Sequence, residues 1–310
     1  MTHYHSLDDL TLQDAWLTIG VFDGVHRGHQ HLLSKLVHGA HTAGVPAVVL
    51  TFHPHPAVVL GGKSDFKCLT TPEERAELLA GLGVDDVITQ AFDRTFADQS
   101  AGEFMGHVAR TLGLRRLLIG YDFALGRGRE GDAARLTELG RALGYQVEVV
   151  EPLRGGEDVI SSTAIRARVR EGAVAEAAGS LGRFYAVSGP VVHGDGRGHL
   201  INIPTANIAY PPEKLIPAYG IYATWAWVKG ERHASATNVG VNPTFTPNKT
   251  TPNVETYLLD FDRDLYGQEV KIEFVARLRH EMKFPSVEAL VEQIHADVLR
   301  SREVLTRANP

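Results

Sequence analysis

The chain has 310 residues, of which 44% are hydrophobic and 22% charged, an ordinary globular balance with room for two domains. Its net charge is −6: Lys and Arg stand at 14 against 14 Asp and Glu from Arg183 onward and at 17 against 23 before it, so neither part has the basic excess of a general nucleic-acid binder. The single cysteine, Cys68, excludes an intrachain disulfide and a thiolate zinc cluster, and no apolar run approaches the roughly 20 residues of a spanning helix. The first ten residues lack the apolar core of a signal peptide, so a soluble cytoplasmic protein with no nucleic-acid or membrane partner is expected.

Up to about residue 181, strands and helices alternate. The strands are expected at Ala15–Val21, Ala47–Phe52, Asp86–Gln90, Arg116–Gly120 and Gln146–Val150. The helices are expected at Gln30–Thr42, Pro72–Leu82, Ser100–Leu112 and Ala133–Leu143. Pro72 in a first helical turn, and Gly44, Gly83, Gly113 and Gly144 just past helix ends, punctuate the pattern. Such alternation implies a parallel sheet covered by helices, with ligands at the carboxyl ends of the strands. His26, His53 and Asp122 all fall just beyond such ends.

After Gly182 the texture changes to short β-rich runs: Tyr185–Val192, Ile221–Val228, His233–Val239, Val254–Leu259 and Val270–Phe274. No helix intervenes, which suits a small antiparallel barrel. Pro285–Leu305 closes the pattern as one amphipathic helix, with Val287, Leu290, Val291, Ile294, Val298 and Val304 expected toward the body. A domain boundary is expected near Leu181–Arg183, after a Gly/Ala-rich stretch.

The most informative segment is Gly20-Val-Phe-Asp-Gly-Val-His-Arg-Gly-His29, at the passage from the first strand to the first helix. His26 and His29 are three apart and share a helical face. Free N–H groups and partial positive charge at a helix start suit a phosphate chain, and Gly20, Gly24 and Gly28 allow close approach. Two imidazoles there can donate hydrogen bonds to the charge that grows on leaving pyrophosphate, which points to nucleotidyl transfer. An isolated His-x-Gly-His would read instead as a turn with solvated histidines. A zinc site built with His53 and His55 is disfavoured: the helical zinc motif needs a spacing of four with an adjacent glutamate, and Arg27 intervenes here.

Three other segments carry weaker signals. Ser161-Ser-Thr163 opens a short helix at Ala164–Arg170, where hydroxyls and Arg166 suit a phosphate, although Ser or Thr caps helices for structural reasons alone. Arg127 and Arg129 read more readily as solvated charges. Ala57-Val-Val-Leu-Gly-Gly-Lys-Ser64 nearly spells a P-loop, but Ala57 replaces its first glycine, so Lys63 is read as a loop lysine.

Taken together, the chain resembles bacterial bifunctional riboflavin kinase/FAD synthetases. The resemblance runs in one order through Gly20–His29, Thr51–Pro56, Gly120–Phe123 with Gly126–Asp132, and Ile160–Arg166. It resumes at Gly194–Gly198, Pro204–Asn207, Gly240–Phe245, Val254–Thr256 and Arg277–Arg279. It implies a Rossmann-like nucleotidyltransferase domain with a parallel sheet over residues 1–181, and a small antiparallel β-barrel flavokinase domain with a terminal helix over 182–310. ATP, riboflavin, FMN and FAD would be substrates or products, and Mg²⁺ the cofactor.

By the same resemblance, His26 and His29 are the catalytic residues of adenylyl transfer. Gly20, Phe22, Asp23, Gly24, Gly28, Ser162, Thr163 and Arg166 surround the ATP phosphates, and His53 and Asp122 border the flavin or nucleotide. In the kinase half Gly194, Gly196, Gly198, Thr205 and Asn207 bind ATP, Thr205 and Asn207 supply oxygen ligands for Mg²⁺, and Glu255 is the base for the ribityl 5′-hydroxyl. The chain departs from the family at Ala124-Leu125, where Arg-Phe is usual, and at His199 and Asn202, where arginine and glycine are usual. Two rival readings follow: an adenylyltransferase whose barrel has decayed to a flavin-binding module, or a nucleotidyltransferase for another phosphorylated substrate.

Overall fold

The structure, a computed structural model, describes residues 1–62, 65–155, 158–194, 203–240 and 252–308. Gly196, Gly198, His199, Asn202, Lys63 and the segment 241–245 lie outside the described residues. The chain forms two compact units, Met1–Ser162 and Thr163–Pro310.

The first unit holds a six-stranded parallel sheet. Its strands are β1 (Thr2–Tyr4), β2 (Trp16–Ile19), β3 (Ala47–His53), β4 (Asp86–Ala91), β5 (Arg116–Gly120) and β6 (Gln146–Val150), in the order β1-β4-β3-β2-β5-β6. Helices α1 (Arg27–Thr42) and α3 (Pro72–Gly81) cover one face, and α5 (Ala101–Leu112) and α6 (Ala133–Leu143) the other. Between them lie the short helices α2 (Pro56–Gly61) and α4 (Arg94–Ala97).

Both faces of the sheet are buried, and the period of two sorts their residues. Along β3, Val48, Leu50 and Phe52 enter the α5–α6 core, while Ala47 and Val49 enter the α1–α3 core. The chain steps outward from β2 to β3 and β4 on one side, then returns to place β5 and β6 on the other. The carboxyl end of β2 is therefore the switch point at which such sheets bind ligands. A small hairpin, β7 (Arg154–Gly155) with β8 (Asp158–Val159), leads to the end of the unit.

The second unit is a closed barrel of antiparallel pairs. Its strands are β9 (Tyr185–Val192), β10 (Ala206–Ile208), β11 (Gly220–Val228), β12 (Glu231–Gly240), β13 (Asn253–Leu258) and β14 (Glu269–Arg279), in the closed order β10-β13-β12-β11-β14-β9. Helix α7 (Ser162–Glu171) starts at the last residue of the first unit. Helix α8 (Val174–Leu181) packs on β14 and β9, and α9 (Val287–Arg307) packs on β11, β12 and β14.

The expected layers are present, with differences that have local causes. The Gly/Ala-rich stretch before the boundary expected near Leu181–Arg183 contains the helix α8: its small residues Ala177 and Ala178 allow close packing, and Gly182 ends it in the left-handed conformation. Strands β1 and β10 are three residues each, too short for alternation to register. Val287, expected toward the body, is instead 58% exposed. The buried positions of α9 are Asp297, Ser301 and Leu305. A hydropathy pattern cannot mark Asp297, which is buried because Arg279 meets it with bonds of 3.0, 3.1 and 2.7 Å.

The barrel interior carries a ladder of buried hydroxyls. Thr224 lies 2.8 Å from Ser235 and 2.7 Å from Thr237, and Thr237 lies 2.9 Å from Thr256. All four residues are fully buried, so each bond replaces one lost to water. Thr237→Val keeps the shape but leaves the Thr256 hydroxyl without this partner. It is expected to cost about 1–3 kcal/mol, read as a lower urea midpoint for the barrel unit, with the sheet unit unchanged.

Candidate active sites

The loop after β2 is held in an uncommon conformation. Phe22 (φ 50°), Gly24 (φ 79°) and Val25 (φ 39°) are all left-handed, which is costly for the bulky Phe22 and the β-branched Val25. Hydrogen bonds fix the loop on several sides. Gly20 N–H donates to Leu50 O at 3.0 Å, Gly24 N–H to Thr70 Oγ1 at 3.1 Å, and Gln30 Nε2 to Val25 O at 2.9 Å. Thr51 Oγ1 donates to Val21 O and Ser162 Oγ to Asp23 O, at 2.9 and 2.8 Å.

Helix α1 starts at Arg27, three residues earlier than its hydrophobic pattern indicates, because His26 caps it. Nδ1 of His26 accepts the His29 backbone N–H at 3.3 Å. A neutral His26 ring therefore carries its proton on Nε2, a hydrogen-bond donor. The rings of His26 and His29 stack, with centroids 3.6 Å apart and 18° between planes, and Phe22 meets His29 edge-on at 5.1 Å. A side chain at position 28 would meet the His26 ring at 3.1 Å, which is why glycine stands there. Burial holds the His29 imidazole well below the ordinary histidine value, and His26 and Arg75 act in the same direction. Its Nδ1 has no hydrogen-bond partner among the described residues.

Asp23 is 1% exposed, and its carboxylate accepts from Leu69 N–H and Thr70 N–H, each at 3.0 Å, and from Thr70 Oγ1 at 3.3 Å. It holds two loops together. His53 is the last residue of β3, at the same edge of the sheet as the histidine loop. His55 caps α2 by accepting from Ala57 N–H, and Ala57–Gly61, most of the described part of the P-loop-like string, is helical. Asp122 follows β5, is exposed, and its carbonyl accepts from Arg129 Nη2 at 2.9 Å. Leu125, where the family has an aromatic residue, packs on the α5–α6 core and pairs with Gly131. Thr163 and the mostly buried Arg166 fall in the second unit, with Arg166 Nη1 3.5 Å from Thr163 Oγ1.

In the barrel, Asn207 of β10, Glu255 of β13 and Asn238 of β12 stand in one cross-strand row. Their neighbours Thr256 and Thr237 point into the hydroxyl ladder, so this row faces outward. Glu255 and Asn238 of this row line a cavity of about 350 Å³, with Thr205, Tyr257, Phe284 and Ile294 among others. Thr205 also lines a second cavity of about 330 Å³, with Val191, Phe261 and Tyr266. One residue thus borders two chambers, the arrangement a transfer between two substrates requires. Gly194 packs so closely on the Asn207 amide that a side chain there would collide with it.

The first of these cavities holds a second carboxylate. Burial raises the Glu281 carboxyl above its ordinary value, Arg279 opposes this and Glu255 adds to it. Asn238 Oδ1 is buried with no partner among the described residues. Sequence reasoning gave no role to Asn238, Tyr257 or Glu281. The alternation of β12 and β13 around Glu255 was the available signal for the first two.

Two family models match the chain: FAD synthetase over residues 9–164 and riboflavin kinase over residues 181–305. Among curated proteins, the bifunctional riboflavin kinase/FMN adenylyltransferase of Listeria monocytogenes is 37% identical, covering 95% of this chain and 94% of its own length. Its counterparts in Bacillus subtilis and Escherichia coli K12 are each 35% identical, covering 96% and 99% of this chain and 94% and 97% of their own lengths. A solved structure described as a macrolide-efflux protein from Streptococcus pneumoniae superposes with a TM-score of 0.87 at 30% identity, covering 97% of this chain and 98% of that one. No described helix is long and apolar enough to cross a membrane. With both family models matched in order and curated relatives aligned over nearly their whole length, the chain belongs to the bifunctional riboflavin kinase/FMN adenylyltransferase family.

Proposed function

We infer that this chain is a bifunctional enzyme that phosphorylates riboflavin with ATP to FMN and adenylylates FMN with a second ATP, releasing pyrophosphate and FAD. The observation that carries this reading is the presence of both constellations in one chain: the stacked histidine pair at the switch point of the sheet, and Thr205 with Glu255 between two cavities of the barrel. The adenylyltransferase domain is assigned to residues 1–181 and the kinase domain to 182–310. The start of the second family model at residue 181 supports that functional boundary. Compactness divides the chain earlier, after Ser162, because α7 and α8 pack with the barrel. The enzyme is expected in the cytoplasm with small-molecule substrates only.

In adenylyl transfer an FMN phosphate oxygen attacks the α-phosphorus of ATP. A P–O bond forms, the bond to the β-phosphate bridge oxygen breaks, and pyrophosphate leaves with that electron pair. No covalent intermediate on the protein is required. His26, through Nε2–H, and His29 donate to the charge on the α-phosphate and leaving group. The free N–H groups of α1 and the close backbone at Gly20, Gly24 and Gly28 receive the phosphates. Phe22 and Asp23 set the loop, with Asp23 acting through the Leu69–Thr70 segment it holds. His53 and Asp122 border the flavin or nucleotide, and Ser162, Thr163 and Arg166 complete the phosphate contacts.

In the kinase half the apolar cavity beside α9 takes the flavin and the cavity of Phe261 and Tyr266 takes the nucleotide, with Gly194, Thr205 and Asn207 toward its phosphates. Glu255 accepts the proton of the ribityl 5′-hydroxyl as its oxygen bonds to the γ-phosphorus, and ADP leaves. The Thr205 hydroxyl and Asn207 amide oxygen are hard, neutral donors and fit Mg²⁺. When bound, Mg²⁺ neutralises charge on the nucleotide phosphates. The intact row of Asn207, Glu255 and Asn238 argues against a decayed barrel.

Incubation with riboflavin, ATP and Mg²⁺, followed by separation of the flavins, is expected to yield FMN and FAD, and supplied FMN to yield FAD with pyrophosphate. FAD formed only from supplied FMN would instead indicate a decayed barrel. His29→Ala should slow FAD formation by about 10²-fold or more while riboflavin phosphorylation is unchanged; equal loss of both activities in a folded protein would refute the division of labour. For Glu255→Gln, FMN formation should fall by about 10²-fold, and FAD synthesis from supplied FMN should continue. Near-normal kinase turnover in this variant would remove Glu255 as the base.

A further inference from the structure

Arg75 on α3 is the largest fully buried side chain among the described residues, 1% exposed, and none of the roles above uses it. Its Nη1 donates to Thr51 Oγ1 at 2.9 Å and to Phe52 O at 3.2 Å, and its Nη2 to Thr70 O at 3.4 Å. All three acceptors are neutral, and Nε has no partner among the described residues. The acceptors are not scattered. Thr51 bonds on to Val21, Phe52 precedes His53, and Thr70 bonds Asp23 and Gly24. One guanidinium therefore gathers the ends of the segments that frame the histidine loop. Burying a charge is expensive, and these bonds to neutral acceptors offset only part of that cost. A guanidinium stays protonated there, so the charge itself calls for a use.

We propose that Arg75 is a positioning residue for adenylyl transfer: a fixed buried cation that ties the segments beneath the histidine loop and biases the site toward an anionic substrate. The proposal rests on the assignment of His26 and His29 to that reaction. Arg75 acts through His29, not by touching substrate. The charged or titratable groups acting on His29 are His26 and, from α3, Arg75; those acting on Arg75 are Asp23, Cys68, Glu73 and Glu74. A positive charge behind His29 makes its protonation costlier, which adds to the effect of burial. His29 therefore binds a proton less readily than an ordinary histidine. Removing the Arg75 charge must raise the His29 titration point.

The test uses the full chain with ¹³C-labelled histidine, following the His29 Cε1–H resonance, assigned by its loss in His29→Ala, beside FAD formation from supplied FMN across pH. In Arg75→Gln, His29 should titrate at higher pH than in the wild type. FAD formation should fall by roughly 10²-fold, as expected when a reacting geometry is misplaced. Arg75→Lys keeps the charge but not the fork, so it should lose rate while His29 titrates close to its wild-type position. Riboflavin phosphorylation by the same samples reports that the barrel unit is intact. Unchanged His29 titration in Arg75→Gln, or wild-type FAD kinetics in both variants, overturns the proposal. If Arg75→Gln does not fold, Arg75→Lys decides: lost rate with a retained titration point supports the proposal, and wild-type rate overturns it. His29→Ala with undiminished FAD formation would defeat the histidine assignment itself, a different result from either.

Discussion

The chemistry of the first unit depends on how the chain leaves β2. At the switch point of the sheet it must reverse into α1 within a few residues and bring two imidazoles over the strand ends. It does so through left-handed backbone at Phe22, Gly24 and Val25. For a non-glycine residue such a conformation costs roughly 1–2 kcal/mol, and it persists only where the surroundings over-determine it. The surroundings are on hand: Thr70, Thr51, Ser162 and Gln30 each bond the loop. Asp23 gives up its carboxylate to the neighbouring segment to keep the loop in place.

The second unit meets the same need by a different route. Its site lies on a sheet surface, so precision comes from register. The buried hydroxyl ladder through Thr224, Thr237 and Thr256 would be broken by a one-residue slip of β13, which would also turn Glu255 inward. Helix α9 forms the other wall, and its distance from β14 is set by the Arg279–Asp297 pair, to which Gln293 adds a bond of 3.0 Å. Rigid strands position Glu255, while the paired helix shapes the apolar volume facing it.

Much of this was legible in the sequence because it follows from periodicity. The strands β3, β5 and β6, the helix α6 and the runs of the barrel lie where alternation and helical spacing put them. The histidine loop was recognisable because its glycines and histidines sit between a strand and a helix. What escaped notice has a common cause: side chains whose burial contradicts their chemistry. Arg75 lies in a helical pattern where an arginine reads as solvated. Asp297 reads as a surface charge until Arg279 is seen to meet it. Asp23 reads as a phosphate-loop residue, and only the fold reveals that its oxygens are engaged by Leu69 and Thr70. The early start of α1 escaped because a histidine cap, unlike Ser or Asp, is not a common signal.

The two sites differ in charge in the sense that their nucleophiles demand. A phosphate oxygen of FMN is already ionised near neutral pH, so its transfer needs no base and is hindered by nearby negative charge. The first site accordingly presents two imidazoles, with the buried Arg75 guanidinium acting on one of them, His29. The Asp23 carboxylate is tied to backbone N–H groups, and Asp122 lies out in solvent. A ribityl hydroxyl is neutral and must lose a proton; in the proposed assignment it loses it to Glu255, a carboxylate at a cavity wall. Burial raises the neighbouring Glu281 carboxyl above its ordinary value, and Glu255 adds to the effect. Each environment would disable the other's reaction: a basic carboxylate facing the histidine loop would repel FMN, and a buried cation behind Glu255 would lower its basicity. Two chemically successive steps on one flavin therefore require two separately built sites, and the chain supplies them as two units with independent cores.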